Sequence, residues 1–330
     1  MGPGASPPHL ALVSPSSTPK PAAAASLDHS TMEVNKDTTE PYLSSPIPAI
    51  TARWWCKDTV AIVTGANKGI GFSMVKQLAQ LGLIVILTAR DVEKGKKAVE
   101  LLKKQGLLVH FHPLDVSDPA SIRTFALWFQ KKLGVMDILI NNAAVSFNDL
   151  YENSVDHAEI VIKTNFYGVK LLTEALLPMF RRSDSISRIL NISSRLGSIN
   201  KMRNPTMKEM LQNENLSAQQ IEGMVDLFLE NVKNGTWKNQ GWPEIWTDYA
   251  VSKLALNAYS RVLAKQFEDF GLRVNCFCPG FTQTSMTGGK GTHTADDAAV
   301  VGARLALLPP GELSTGKFYV GFNPGIISKL

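Results

Sequence analysis

The sequence predicts an α/β protein: a doubly wound parallel sheet in a single domain, with a helical insertion in its second half. Two observations predict this fold. From residue 59 onward, short apolar runs alternate with segments whose apolar residues recur at helical spacing. Strands and helices that alternate in this way form a parallel sheet with helices on both faces. The second observation is a glycine-rich turn, Thr64–Gly71, which joins the first apolar run to the first helix.

The first part of the chain supplies strands and helices in strict alternation. Apolar runs such as Val60–Val63 are short and bounded by glycine or polar residues, which is typical of buried strands. Strands are predicted over residues 59–64, 83–89, 107–114, 136–141 and 186–193, and helices over residues 69–81, 92–105, 118–133 and 153–182.

Residues 198–242 interrupt this alternation with a polar insertion, in which helices are predicted over residues 206–213 and 217–232. The alternation then resumes. We predict a helix over residues 244–270, a strand over 272–278, a glycine- and threonine-rich flap over 281–294, a helix over 295–308 and a strand over 316–320. Ligands of such sheets bind at the carboxyl ends of the strands, so we expect the functional residues there.

Residues 1–50 differ from the rest of the chain because they are rich in Pro, Ser, Ala and Thr. This composition predicts a disordered extension, which leaves residues 51–330 for the folded domain. The extension lacks the apolar segment of a secretory signal. We therefore expect a cytoplasmic protein, with a plastid transit peptide as the alternative.

Charge and cysteine content narrow the class of protein further. The formal net charge is +5, and the basic residues are scattered. A nucleic-acid surface needs clustered basic residues, so we expect a small anionic ligand and no nucleic acid. The longest apolar run, Leu81–Ala89, is too short to span a membrane. Three cysteines cannot form a disulfide framework, which favours a reducing compartment.

Gly65, Gly69 and Gly71 give the glycine-rich turn the spacing G-x-x-x-G-x-G. Glycine lets the backbone bend tightly and approach a ligand, and the free N–H groups of the following helix bind anions. Asn67 and Lys68 add hydrogen-bond donors and positive charge. The turn therefore predicts a phosphate-binding site, with an ordinary glycine-rich turn of another α/β protein as the alternative.

Tyr249 and Lys253 lie four residues apart in a predicted helix and therefore share one face. A nearby ammonium group favours the phenolate, so we expect Lys253 to lower the pKa of Tyr249 and make it a useful proton donor. Ser194, at the end of a predicted strand, can hydrogen-bond a substrate carbonyl. The alternatives are an exposed Tyr–Lys pair on a helix surface and a serine in a structural turn.

Six motifs occur together in one order: TGANKGIG, LDV, NNAA, NISS, YAVSK and PG. In this order and spacing they resemble the short-chain dehydrogenase/reductase family over residues 57–320. TGANKGIG, LTARD and the long insertion before Tyr249 resemble its monomeric carbonyl reductase branch, including plant members that act on alkaloid or terpenoid ketones. The resemblance implies a Rossmann-type sheet with a helical insertion before the catalytic tyrosine.

The resemblance also implies catalytic roles for four residues. Tyr249 matches the general acid that protonates the carbonyl oxygen, and Lys253 matches the lysine that lowers its pKa and holds the nicotinamide ribose. Ser194 matches the serine that orients the carbonyl. Asn165 matches the asparagine that supports a water-mediated proton relay.

A nicotinamide dinucleotide is the implied cofactor. Arg90 follows the second predicted strand, where an acidic residue would instead bind a ribose 2′-hydroxyl. Arginine binds phosphate in a forked geometry, so we predict NADPH/NADP+ over NADH, with a solvated arginine as the alternative. The other implied contacts are Gly65, Asn67, Lys68, Gly69, Ile70, Gly71, Asp115, Val116, Asn142, Ala143, Tyr249, Lys253, Pro279, Gly280, Thr282 and Thr284.

Together these residues predict an NADPH-dependent carbonyl reductase acting on a bulky apolar ketone or aldehyde. An alcohol dehydrogenase working oxidatively and a non-catalytic NADP(H)-binding protein are the alternatives. We expect a monomer, because the insertion would cover the helix face through which oligomeric relatives associate. Candidate pocket residues, for which core packing is the alternative, are Val145, Phe147, Trp242, Ile245 and Met286.

Two pairs of potential metal ligands are better explained by packing. Cys276 and Cys278 alternate along one predicted strand, and His110 and His112 alternate along another. Neither pair has further ligands at metal-binding spacing, so we expect no metal site.

Overall fold

A sheet of eight strands forms the centre of the described fold. The computed structural model describes residues 1–2, 53–147, 153–181, 187–321 and 327–329. The strands are β1 Val60–Val63, β2 Ile84–Ala89, β3 Val109–Pro113, β4 Ile138–Asn141, β5 Ser187–Ile192, β6 Leu272–Cys278, β7 Lys317–Val320 and β8 Ile327–Lys329. Their order in the sheet is β3-β2-β1-β4-β5-β6-β7-β8. β1 to β7 are parallel, as predicted, whereas β8 was not predicted and pairs antiparallel with β7.

Helices alternate with these strands along the chain. They are α1 Gly69–Gln80, α2 Val92–Lys103, α3 Pro119–Lys132, α4 Val155–Ile162, α5 Gly168–Leu176, α6 Pro205–Gln212, α7 Ala218–Lys233, α8 Thr247–Gln266 and α9 Ala295–Leu307. The doubly wound parallel sheet that the sequence predicts is therefore confirmed. Within the described residues, no helix combines the length and the hydropathy that crossing a membrane requires.

Two apolar cores lie on opposite faces of the sheet. Val60 and Ile62 of β1 pack in one core, and Ala61 and Val63 pack in the other. Successive side chains of a strand point to opposite faces, and helices cover both faces here. This arrangement explains why the strand is a continuous apolar run in the sequence.

The insertion forms α6 and α7, close to the two helices predicted there. Ser217 and Gln220 make a capping box at the start of α7, an arrangement that satisfies two free N–H groups. The apolar side of α7 belongs to the same core as residues of α8. Trp242 is only 4% exposed and packs edge-to-face on Phe228 of α7, with 5.3 Å between ring centres. Trp242 is thus a core residue, which is the alternative that the sequence left open for it.

The helix predicted over residues 153–182 is interrupted. It consists of α4, a π-helical turn at Lys163–Tyr167, and α5, followed by a 3₁₀ turn at Leu177–Met179. We call Lys163–Tyr167 the π-turn. Single π-helical turns inside α-helices occur frequently at functional sites.

The helix that carries Tyr249 begins later than predicted. Trp246, immediately before α8, has a left-handed backbone with φ 48° and ψ 54°. It is the one non-glycine residue with positive φ in the part of the chain that the structure describes. A large side chain in this conformation is strained, so the contacts around it must hold it there.

The predicted disordered extension over residues 1–50 lies, except for residues 1–2, outside the described residues. The folded residues from 53 onward belong to one compact unit, Glu40–Leu330.

Candidate active site

The carboxyl ends of six parallel strands carry residues that the sequence singles out. Parallel strands end at the same edge of a sheet, so these residues share one edge. Gly65 follows β1, Arg90 follows β2, Asp115 follows β3, Asn142 follows β4, Ser194 follows β5 and Pro279 follows β6.

Close packing explains two glycines of the turn after β1. Gly65 has φ 60°, and a Cβ atom there would lie 2.8 Å from Cα of Ala143. A Cβ atom at Gly71 would lie 2.4 Å from Nδ2 of Asn142. The residues that follow β4 therefore pack directly against the glycine turn.

Thr64 joins the ends of β1 and β4, a role that was not predicted from the sequence. Its Oγ1 accepts the backbone N–H groups of Asn142 and Ala143, each at 3.0 Å. The side chain of Asn142 donates in return to the carbonyls of Thr64 and Gly65, at 2.9 and 3.2 Å. Thr64 is the first residue of the TGANKGIG motif, and its place in that motif could have identified it as a site residue.

The N-terminus of α1 has the features of an anion site. Lys68 precedes the helix without making a side-chain cap, and the first turn contains no acidic residue. Backbone N–H groups in such a position bind phosphate, so this end of α1 fits a dinucleotide. Asn67 and Ile70, beside it, are half-buried.

The flap packs against this turn. Nζ of Lys68 donates to Oγ of Ser285 at 2.7 Å. A Cβ atom at Gly69 would lie 3.6 Å from the side chain of Thr284. Inside the flap, the buried Thr282 donates its hydroxyl hydrogen to the carbonyl of Pro279 at 3.1 Å. Thr284, implied as a cofactor contact, is thus brought to the glycine turn, whereas the hydroxyl of Thr282 is engaged within the flap.

Arg90 is exposed at the end of β2. Its neighbour Asp91 starts α2 by accepting the N–H of Lys94, and it forms an ion pair with Nζ of Lys94 at 2.8 Å. The carboxylate beside Arg90 is therefore directed to Lys94. Asp115, after β3, accepts the N–H and the hydroxyl of Ser117 at 2.9 and 2.7 Å.

The start of α5 packs against the residues after β3. A Cβ atom at Gly168 would lie 2.4 Å from the carbonyl oxygen of Val116. Val116 is itself 5% exposed. Val116, which with Asp115 forms the pair implied to contact adenine, is therefore packed against the start of α5.

Lys253 lies buried between α8 and the end of β5. Its Nζ donates to the carbonyl of Ile192 at 2.8 Å and lies 5.5 Å from the centre of the Tyr249 ring. Burial lowers the pKa of Lys253 to about 8. Ile192 is two residues before Ser194, so α8 places both predicted catalytic side chains beside this strand end.

The pKa of Tyr249 differs from the sequence-based expectation. Burial, with a smaller contribution from Cys278, raises the pKa of the phenol above its ordinary value. Removal from water disfavours the phenolate, and this effect outweighs the attraction of the Lys253 ammonium, which lies 5.5 Å from the ring centre. The expected lowering by Lys253 is thus wrong for this arrangement, in which the proton stays on the phenol at neutral pH.

Asn257 holds the turn after β5 against α8, a role that was not predicted from the sequence. Oδ1 of Asn257 accepts the hydroxyl hydrogen of Ser193 at 2.6 Å, and its Nδ2 donates to the carbonyl of Gly197 at 3.0 Å. Asn257 is four residues after Lys253, so it shares the face of α8 that carries Lys253 and Tyr249. Oγ of Ser194 accepts the N–H of Leu196 at 3.2 Å, a bond that leaves its own hydrogen for a substrate.

Asn165 occupies the π-turn and is fully buried. Its Oδ1 accepts the N–H of Val145 at 2.8 Å, and its Nδ2 donates to the carbonyl of Val145 at 2.9 Å and to Oγ of Ser252 at 3.1 Å. Both amide hydrogens are therefore engaged. The side chain ties the segment after β4 to α8, and its part in a proton relay stays a prediction.

The remaining candidate pocket residues lie near this edge of the sheet. Phe147 is 40% exposed and stacks on His157, with 3.8 Å between ring centres. Ile245, four residues before Tyr249, is 46% exposed. Val145 and Met286 are half-buried.

The cysteine pair packs as expected, whereas in the histidine pair His112 packs and His110 is exposed. Cys276 and Cys278 are buried in one small apolar cluster. The ring of His112 stacks on Trp128 at 4.2 Å. Among the described residues, no group of three or more potential ligands could hold a metal ion.

The fold and the site define an oxidoreductase of the class that uses a nicotinamide dinucleotide. The comparisons with known proteins place it more closely: the chain belongs to the short-chain dehydrogenase family. Residues 59–207 match the family model for short chain dehydrogenase, and residues 236–307 match the model for enoyl-(acyl carrier protein) reductase.

Three similar proteins support this membership. The chain is 39% identical to (+)-neomenthol dehydrogenase of Arabidopsis thaliana over 78% of this chain and 95% of that protein. It is 35% identical to NADPH carbonyl reductase 1 of Homo sapiens over 76% of this chain and 91% of that protein. The solved structure of salutaridine reductase from Papaver somniferum matches with a TM-score of 0.74 and 37% identity, covering 79% of this chain and 99% of that one.

Proposed function

We propose that this protein is an NADPH-dependent carbonyl reductase that acts on bulky, apolar ketones or aldehydes. The proposal rests above all on one observation: the Lys253 ammonium is buried at the end of β5, one helical turn from Tyr249 and beside Ser194. The similar proteins include a dehydrogenase, a carbonyl reductase and an alkaloid reductase by name. This function explains both the cluster of Tyr249, Lys253 and Ser194 and the anion site at the start of α1.

Each catalytic side chain has a separate task. When bound, NADPH supplies the hydride for the carbonyl carbon. Tyr249 donates its phenolic proton to the carbonyl oxygen, and Ser194 donates a hydrogen bond to the same oxygen. The positive charge of Lys253 stabilises the phenolate that forms on Tyr249. Asn165 holds Val145 and α8 in place beside them.

The cofactor would be held at two places along the carboxyl edge of the sheet: the start of α1 and Arg90 after β2. The first turn of α1 and Gly65, Gly69 and Gly71 suit its phosphate groups. Arg90 suits the 2′-phosphate, because the carboxylate of its neighbour Asp91 is paired with Lys94. NADPH is also the cofactor in the printed name of the human relative.

Two exposed apolar side chains support the substrate class. Phe147 and Ile245 are 40% and 46% exposed, and each lies within four residues of a site residue. A pocket with such walls binds apolar ligands by removing their surface from water. Ketones of the size of monoterpenes or alkaloids therefore fit better than small polar carbonyls.

The function is tested by following NADPH absorbance with a panel of carbonyl compounds. We expect turnover with bulky apolar ketones or aldehydes. Tyr249→Phe should abolish turnover yet retain NADPH binding, measured by fluorescence. Tyr319→Phe, on the buried strand β7, is the matched control and should stay active. Full activity of Tyr249→Phe would contradict the proposed mechanism.

We propose further that the protein is a cytoplasmic monomer. α7 packs against α4 and α8 and so covers that side of the helix carrying Tyr249. The three cysteines are free, which is consistent with a reducing compartment. Light scattering tests the monomer, and a larger assembly would contradict it. A fluorescent fusion carrying residues 1–50 tests the compartment, and import into plastids would contradict a cytoplasmic location.

A further inference from the structure

The outer side of the π-turn is fastened to the insertion. Tyr167, the last residue of the π-turn, donates its hydroxyl hydrogen to Oδ1 of Asp226 on α7 at 3.0 Å. One turn later, Nζ of Lys170 on α5 pairs with Glu222 of α7 at 3.3 Å. The side chain of Lys170 is only 16% exposed, so this pair is less screened than a surface pair.

The inner side of the π-turn is joined to the catalytic helix. Asn165 is two residues before Tyr167, and helical residues two apart face different directions. Asn165 donates to Oγ of Ser252, and the Ser252 hydroxyl donates to the backbone carbonyl of Tyr249 at 2.7 Å. The π-turn thus stands between α7 and the helix that carries the proton donor.

Between these two residues, Phe166 fills the core. It is fully buried and meets the ring of Tyr259 on α8 edge-to-face, with 6.2 Å between ring centres. Three consecutive side chains of the π-turn therefore contact different parts of the fold: Asn165 contacts Ser252, Phe166 contacts Tyr259 in the core, and Tyr167 contacts Asp226 on α7. π-helical turns are rare compared with α-helical ones, so contacts on several sides are needed to keep this register.

We propose that Tyr167 and Asp226 are positioning residues for carbonyl reduction. Their hydrogen bond holds the π-turn from outside, so that Asn165 keeps Val145 and Ser252 in place beside Tyr249. The insertion then supports the catalytic site in addition to covering a helix face. This inference rests on the proposed function, because it assigns Asn165 a part in the same site.

Tyr167→Phe is the variant that tests this role. It removes the hydroxyl but keeps the ring, which packs 5.0 Å from that of Phe166. We expect kcat to fall about fivefold, which corresponds to about 1 kcal/mol of activation free energy, because the lost hydrogen bond loosens the π-turn that holds Asn165. KM for the ketone and NADPH binding should change less than about twofold, since Tyr167 touches neither ligand site.

A double-mutant cycle with Asn165→Ala separates positioning from a general loss of stability. If Tyr167 acts through Asn165, Tyr167→Phe should change kcat less than about twofold in the Asn165→Ala background. Independent effects would instead multiply, and that result would overturn the proposal. Unchanged kcat in Tyr167→Phe alone would overturn it as well.

Variants of α7 provide rescue and control. Asp226→Asn retains an acceptor for the Tyr167 hydroxyl and should stay close to wild type, whereas Asp226→Ala should match Tyr167→Phe. Lys233→Gln is the matched control, because it breaks a surface ion pair of the same helix with Glu159, whose side chain is 48% exposed. We expect no change in kcat from that variant.

Hydrogen exchange gives a readout that does not depend on activity. In Tyr167→Phe, the amides of residues 163–168 should exchange faster than in wild type or Lys233→Gln. Unchanged exchange would contradict the positioning role. If the wild-type protein reduces no carbonyl of the panel, the proposed function fails, and the exchange measurement still decides whether Tyr167 holds the π-turn.

Discussion

Nζ of Lys253 donates to the backbone carbonyl of Ile192 at 2.8 Å, at a position where the lysine is 2% exposed. An ammonium group carries three N–H donors and needs water or acceptors for all of them. Burial therefore disfavours the charged form and lowers the pKa of Lys253 from 10.5 to about 8. The same burial raises the pKa of Tyr249. The candidate active site therefore contains two groups, Lys253 and Tyr249, whose charged forms are each less stable there than in water.

Lys253→Met should make the protein more stable at pH 7 and inactive. A pKa of about 8 instead of 10.5 means that burying the cation costs the wild type about 3 kcal/mol. The variant avoids this cost but loses the hydrogen bond to Ile192, which is worth about 1 kcal/mol. We therefore expect a gain of about 2 kcal/mol in the free energy of unfolding, measured with urea.

The gain from Lys253→Met should depend on pH with a definite sign. Because the folded protein has the lower lysine pKa, the wild type gains stability as the pH rises from about 8 to 10.5. The advantage of the variant is complete below pH 8 and is lost before pH 10.5, above which the missing hydrogen bond leaves the variant less stable than the wild type. A variant less stable than wild type at pH 7 would show that the ammonium stabilises the fold.

Carbonyl reduction should slow above about pH 8. Below this value Lys253 is protonated and supports the phenolate that forms on Tyr249, and above it the charge is lost. The measurement is kcat/KM for reduction between pH 6 and 10, with Lys253→Arg as the comparison. Because arginine keeps its proton, any residual activity of that variant should lack the alkaline decrease. An unchanged decrease would assign it to another group.

Gly71→Ala should impair NADPH binding and destabilise the protein by about 1–3 kcal/mol. Its Cβ atom would meet Nδ2 of Asn142 at 2.4 Å and displace the amide that joins β4 to the glycine turn. Gly223→Ala on α7 is the control, because a Cβ atom there has nothing within 4 Å. That change should be neutral or slightly stabilising in a helix. Tight NADPH binding by Gly71→Ala would contradict the packing argument.

The strands and the glycine turn could be predicted because their signals are local. The run Val60–Val63 is apolar throughout since both faces of β1 are buried, and Gly65 and Gly71 are required by contacts at the edge that the alternation predicts. The parallel orientation of β1 to β7 follows from the alternation alone. β8 could not be predicted in this way, because an edge strand of three residues has no periodic signal.

The missed features depend on contacts between distant parts of the chain. The π-turn has the apolar spacing of an α-helix, and its register is held by hydrogen bonds of Asn165 with Val145 and of Tyr167 with Asp226. Trp242 is an aromatic residue near the site in sequence, and only its contact with Phe228 identifies it as core. The pKa of Tyr249 was predicted in the wrong direction because helical spacing gives the distance to Lys253 but not the burial.

Arg90 is expected to determine the choice of cofactor. Arg90→Asp should move the preference from NADPH toward NADH, because a carboxylate accepts hydrogen bonds from a ribose 2′-hydroxyl and repels a 2′-phosphate. The measured quantity is the ratio of kcat/KM for the two cofactors. A change of about tenfold or more corresponds to the loss of about 1.4 kcal/mol of phosphate binding. Lys104→Asp, which makes the same charge change at the other end of α2, is the control and should leave the ratio unchanged. Equal shifts in both variants would mean that the preference comes from the general field of the protein and not from a contact of Arg90 with the phosphate. A higher kcat/KM with NADH in the wild type would contradict the assignment of NADPH itself.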